Sequence, residues 1–326
     1  MLSLIHAVAG RPWAIRAEIA FHVRGLLAKD GIAGLRHLAD LKEEIHARDG
    51  RMAGGPPARP AGGSTVAVIP IIGTLTQRVQ AIGSVGETRS TADLAAEVRA
   101  AALEPSVDGI VLEVDSPGGE VFGVPEAWAS IRESARMKPV VAHANSVAAS
   151  AALYLASAAR EVWVTPSGLV GSVGVYSLHI DASKALEQMG EAWDFIVATK
   201  SPFKIEGNPA GPLTGEARAD AQDRVDEYMG MFVRDLAKGR GVSEKHVEGS
   251  FGGGRMLSAA EAVAVRMADY VGTFDQAIKR AAQLAAPAGA GRPRAEVVPA
   301  VPVAVDPVEL TMRAALAGVK VEREKI

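Results

Sequence analysis

From Thr65 onward the chain alternates short β-rich runs with stretches of helical periodicity, and that alternation limits the fold more than any other feature. Residues 66–72, 109–114, 139–144, 161–164 and 193–199 read as strands, with residues 92–102, 125–136 and 148–159 reading as helices between the earlier ones. A hairpin needs only a few residues, whereas these connections are long enough to cross over a sheet. Spacing of this kind implies parallel βαβ units and an α/β core. Helical patterns then dominate, at residues 215–238, 258–271 and 274–284.

The flanks have a different texture. In residues 1–48, Ile15, Ile19, Val23 and Leu27 follow Pro12 at a helical period, as do Leu35, Leu38, Leu41 and Ile45, so two helices are expected. Residues 49–64 are rich in Gly, Pro and Ala and read as a linker. The core spans 65–284. Residues 285–305, rich in Ala, Pro and Val, read as an extended, flexible connection to a short C-terminal helix and tail at 306–326, where Asp306, Pro307 and Glu309 form a helix start.

Composition removes several function classes. The chain contains no cysteine, so thiolate catalysis, disulfides and Cys-ligated zinc are excluded. A formal net charge of −3 gives no bulk attraction for nucleic acid. No apolar stretch reaches the ~18 residues of a membrane span, and the apolar start lacks a basic leader, so a cytoplasmic protein without a membrane anchor is expected. Neither a phosphate-binding loop nor a metal-ligand cluster is legible, and no cofactor is expected.

Four features can carry chemistry. The run Asp115-Ser-Pro-Gly-Gly119 ends a strand, and its glycines can turn the backbone so that an amide faces a ligand, as an oxyanion requires; it also reads as an ordinary strand-to-helix turn. Ser150, in Ala148-Ala-Ser-Ala-Ala152, falls where a strand gives way to a helix. There its hydroxyl is exposed and the neighbouring Ala151 amide can serve as a second oxyanion donor, although a capping serine fits the same position. Serine needs a base to become a nucleophile. Of the seven histidines, four (His6, His22, His37, His46) precede the linker, while His143, His179 and His246 read as structural. Lys184, Lys200 and Lys204 remain, and a lysine acts as a base when burial lowers its pKa. Lys204 lies between Phe203 and Ile205, which suits desolvation, but a solvated surface lysine is the ordinary reading. In Gly171-Ser-Val-Gly174, Ser172 can orient an amine or simply form a turn.

The order of these features resembles the signal peptide peptidase A family, serine proteases with a Ser-Lys dyad on a ClpP/crotonase-like fold. The resemblance runs from about residue 66 to 282 and includes the stretch 254–272. It implies Ser150 as nucleophile and Lys204 as base, 54 positions downstream, with Lys200 as the alternative base. It implies Ser172 as the serine that holds the lysine amine, and Gly118 or Gly119 with Ala151 as the oxyanion hole. Alanines at 151 and 152 replace glycines common in such proteins but keep the backbone N–H. With no membrane span, the chain is most similar to phage capsid-assembly proteases of the protein C type. That similarity implies scaffold, capsid or portal proteins as partners, possible self-cleavage, a procapsid setting and a homo-oligomer. Four rivals remain. A cytoplasmic peptidase degrading peptides fits the same dyad. A Ser-His-Asp peptidase of the ClpP kind needs a histidine some 25 residues beyond the serine, and position 175 is Val. An acyl-CoA enzyme of the crotonase kind needs neither Ser150 nor the lysine. A catalytically silent assembly protein needs no chemistry at all.

Overall fold

The computed structural model describes residues 12–15, 64–78 and 88–286. In chain order the strands are β1 (Pro12–Ile15), β2 (Val66–Ile72), β3 (Thr74–Thr76), β4 (Thr88–Ser90), β5 (Gly109–Ser116), β6 (Gly118–Glu120), β7 (Val140–Ala149), β8 (Glu161–Val164), β9 (Leu169–Gly171), β10 (Tyr176–Ser177), β11 (Met256–Ser258) and β12 (Tyr270–Val271). The α-helices are α1 (Thr91–Leu103), α2 (Val124–Met137), α3 (Ala151–Ala156), α4 (Ser183–Gln188), α5 (Gly215–Arg240), α6 (Glu244–Ser250), α7 (Ala259–Ala264) and α8 (Phe274–Ala285).

The strands form two sheets. The larger is seven-stranded, with β2, β5 and β7 adjacent and parallel. Its long central strand β7 changes neighbour partway along one edge. Val141 to Ala144 pair with β8, whereas Val147 to Ala149 pair with β9. Antiparallel β11 extends the sheet beyond β9, and parallel β12 extends it beyond β8. The smaller sheet has the order β10-β1-β6-β3-β4.

Alternation along β5 explains the layers. Ile110, Leu112 and Val114 enter the main core with the buried residues of α1, α2 and α3, while Val111 joins Val66 and Val141 on the opposite face, under Ala277 and Ala281 of α8. The small residues on α8 let it lie close to the sheet: a Cβ at Gly109 would stand 3.1 Å from the Ala281 carbonyl oxygen. Helix starts follow capping chemistry. Ser90 accepts from the Asp93 N–H at α1, and Thr273 and Gln276 form a capping box at α8. The C-terminal half of α5 packs on α3, where Tyr154 stacks on Phe232 with ring centroids 4.6 Å apart and donates a 2.5 Å hydrogen bond to Asp235.

The α/β architecture of parallel strands and crossover helices follows the sequence reading, with local differences. Residues 193–199 form no strand. Ile196 is 98% exposed there, and an apolar run without a sheet edge to pair with stays irregular. The strand expected to stop at 144 continues to Ala149 because β9 supplies a second partner, and only 151–156 remain helical. The helix expected at 258–271 is divided into β11, α7 and β12. Residues 12–15 are a strand rather than the opening of a helix, because β-partners flank them on both sides. The rest of the expected N-terminal helices, most of the linker and the tail at 306–326 lie outside the described residues.

Candidate active site

Three adjacent strands end at one place. Ser116 of β5 pairs with Ala148 of β7, and Ala149 of β7 pairs with Gly171 of β9, so the ends of β5, β7 and β9 bring Gly118, Ser150 and Ser172 together. The carboxyl ends of parallel strands are where α/β folds open a crevice.

The backbone there is held in unusual conformations. Ser150 has φ 53° and ψ −120°, and Ser172 has φ 54°; with Arg266 they are the three non-glycine residues with positive φ among the described residues. Such a conformation costs on the order of 1–3 kcal/mol and persists only where its surroundings enforce it. At Ser150 the enforcement is visible. Its N–H donates to the Gly171 carbonyl at 2.8 Å, and its carbonyl accepts from the Tyr154 N–H at 2.9 Å. Its side chain, buried rather than exposed as the strand-to-helix position suggested, is left to donate a long 3.5 Å bond to the Gly174 carbonyl. The Ser172 N–H is held by the Arg255 carbonyl at 2.9 Å. Gly171, at φ 137°, carries no side chain for a second reason: a Cβ would overlap that same Arg255 carbonyl.

The two glycines of the strand end differ. Gly118 has φ 94°, and its N–H already donates to the Ser116 hydroxyl at 3.2 Å, while that hydroxyl donates to the Gly73 carbonyl at 2.6 Å. Gly119 lies between β3 and β1, opposite Leu75 and Ala14, and a Cβ on it would overlap the Leu75 carbonyl oxygen. Ala151 opens α3, and first-turn N–H groups have no acceptor within their own helix.

The lysines are placed otherwise. Lys204 sits in a 3-10 turn, Pro202–Ile205, where its N–H donates to the Ser201 carbonyl at 3.1 Å; both it and Lys200 are exposed, and neither side chain has a hydrogen bond or ion pair among the described residues. The flanking Phe203 and Ile205 are themselves exposed, so the desolvation expected of them is not realised within a single chain. The site therefore unites Ser150, Ser172, Gly118, Gly119 and Ala151, and leaves the lysines on a separate exposed segment. The described histidines are occupied elsewhere. His143 is fully buried against the Gly272 carbonyl at 3.0 Å, His179 faces the Gly211 carbonyl at 3.1 Å, and His246 faces the Val265 carbonyl at 2.8 Å. Burial holds the His143 pKa below its ordinary value, against the opposing influence of the Gly272 bond and Glu113.

Sequence reasoning passed over Ser116, Arg255 and the strand β1. Ser116 had a signal, standing inside the Asp-Ser-Pro-Gly-Gly run. The carbonyl of Arg255 had none, because a backbone acceptor leaves no trace in residue type.

Residues 132–287 match the model of peptidase family S49. The chain is 35% identical over 178 residues to capsid assembly protease C of Escherichia phage lambda, covering 55% of this chain and 40% of that protein. It is 33% identical over 185 residues to head-tail preconnector protein GP5 of Enterobacteria phage P21, covering 57% and 36% respectively. With protease 4 of Salmonella typhi the identity is 29% over 224 residues, covering 68% and 35%. The chain thus spans well under half the length of these curated relatives.

Proposed function

We propose that the chain, whose α/β core matches peptidase family S49 over residues 132–287, is a serine endopeptidase of ClpP/crotonase-like fold with a Ser150–Lys204 dyad. The observation that carries the reading is Ser150 itself. A buried serine is held at φ 53° at the ends of three strands, with its hydroxyl free of any strong partner.

In this mechanism neutral Lys204 takes the proton from Ser150 Oγ, and the oxygen attacks a peptide carbonyl. The amides of Gly119 and Ala151 hold the resulting oxyanion. Gly118, whose N–H already donates to Ser116, is the alternative donor. Loss of one such donor typically costs about 3 kcal/mol of barrier. Lys204 then returns its proton to the leaving amine, and water, deprotonated by the same lysine, hydrolyses the acyl-enzyme. Ser172 orients the lysine amine. Lys200 is the alternative base.

For the lysine to act as a base its exposed segment has to be covered. A homo-oligomer supplies that cover in this reading. Its support is the concentration of exposed apolar side chains around the lysines: Met189, Trp193, Phe195, Ile196, Phe203 and Ile205. The similarity to capsid assembly protease C favours capsid-assembly proteins as substrates, with the procapsid in the host cytoplasm as the setting. In keeping with that setting, no helix among the described residues is long and apolar enough to cross a membrane.

The test is hydrolysis of labelled casein together with fluorophosphonate labelling. Ser150→Ala is expected to lose both, Lys204→Ala to lose cleavage, and Lys200→Ala to keep it. Cleavage surviving in Lys204→Ala but lost in Lys200→Ala moves the base to Lys200. Survival in both lysine variants, or labelling of Ser150→Ala as strong as in the wild type, refutes the dyad.

A further inference from the structure

Strand β1 lies in a slot one strand wide. On one side Trp13, Ala14 and Ile15 face Glu120, Gly119 and Gly118 of β6; on the other Pro12 and Trp13 face Ser177 and Tyr176 of β10. Both pairings are antiparallel, and among the described residues β10 joins its sheet only through β1. With neighbouring strands about 4.8 Å apart, lifting β1 out leaves β6 and β10 separated by about twice that, the width one extended peptide fills. Each wall belongs to the candidate site. β6 carries Gly118 and Gly119, and β10 follows Gly174, whose carbonyl accepts the Ser150 hydroxyl. A peptide added as a strand between such edges takes its affinity from main-chain hydrogen bonds.

We propose that Pro12–Ile15 is a built-in competitor, occupying the strand slot that a substrate peptide takes beside Ser150, so that the folded chain is a restrained peptidase. The proposal rests on the serine peptidase reading above. Two observations support it beyond proximity. The backbone of Ala14–Ile15 stands opposite Gly118–Gly119, where a peptide to be cleaved has to stand. The occupant is also part of the same chain, so it returns to the slot at an effective concentration on the order of millimolar, above that of a dilute substrate. Release of the strand, by a partner that captures the N-terminal segment or by its removal, then raises activity.

The experiment compares the full chain with the double variant Trp13→Pro, Ala14→Pro. Adjacent strand residues point their N–H groups to opposite sides, so the variant loses one ladder donor toward each wall. Three measurements are made: hydrogen exchange at residues 118–120 and 176–177, steady-state hydrolysis of labelled casein, and fluorophosphonate labelling of Ser150. The variant is expected to exchange faster at both walls, with β5 and β7 unchanged. Its KM for casein is expected to fall by roughly three- to tenfold at constant kcat, as follows if the slot is open in the wild type only about a tenth to a third of the time. A synthetic peptide of residues 8–19 is expected to inhibit the variant competitively. Ala14→Gly, which weakens the strand only through backbone entropy, gives the same sign at smaller size and covers the case in which the prolines disturb folding. Equal exchange at the walls in an enzyme that labels and cleaves overturns the strand alone. Faster exchange with unchanged KM overturns the inhibitory role. Faster exchange in a chain that neither labels nor cleaves overturns the peptidase reading and the inhibitory role with it.

Discussion

At Gly119 an added methyl group meets the Leu75 carbonyl oxygen, so β3 and β6 have to part before any larger side chain fits. Gly119→Ala is therefore expected to lower the thermal midpoint by several degrees, the effect of one to a few kcal/mol in a domain of this size, and, in the proposed mechanism, to reduce casein hydrolysis by at least about a hundredfold as the oxyanion donor moves. Normal hydrolysis by a destabilised Gly119→Ala would return the donor to Gly118. At this scale the sequence was informative where residue type matters and silent where backbone does. Ser150, Ser172 and the glycine pair stood out because their types and order carry chemistry. The carbonyls of Gly171, Gly174 and Arg255 that hold the two serines have no such signature.

Among the elements, β7 and the turn before α8 are joined by one side chain. His143 donates through Nε2 to the Gly272 carbonyl and lies 5.5 Å, between ring centroids, from Phe274, while its Nδ1 has no hydrogen-bond partner among the described residues. Burial lowers its folded-state pKa, so the unfolded chain binds the proton more readily. Stability then falls as pH drops from about 7.5 through the unfolded value near 6.5, by at most about 1.4 kcal/mol per pH unit. Denaturant titrations at about pH 7.5 and 5.5 are expected to show this loss in the wild type and a smaller one in His143→Gln; an equal loss in both would assign the dependence to other groups. The helices α1, α2, α5 and α8 were legible from apolar periodicity, as were the centres of β5 and β7. Strand ends were not, because the continuation of β7 to Ala149 depends on β9, some twenty residues later. For the same reason β1 read as helix: Ile15 and Ile19 share a helical period, but the pairing that makes residues 12–15 a strand is with residues more than a hundred positions away. The apolar content of residues 193–199 suggested a strand, yet no edge receives it.

For the whole molecule, the exposed lysines and the apolar side chains around them make activity depend on assembly in the proposed reading. Ile196, almost wholly exposed, is the side chain whose change disturbs the fold least. Ile196→Asp is expected to keep the thermal midpoint, shift sedimentation toward the monomer, and lose casein hydrolysis in parallel with that shift. A fully active monomer would remove the requirement for a second copy. The fork in the large sheet has a further consequence, for the order in which parts of the molecule let go on heating. β7 is gripped by β5 along its length but by β8 only over its first half and by β9 only over its second, and β9 contributes three paired residues. Local opening of the β9 prong, which β11 holds on its far side, releases the Gly171 carbonyl that pins Ser150. Ser150 then loses its posture while the rest of the sheet still stands, so in the proposed reading warmth ends catalysis before it unfolds the molecule.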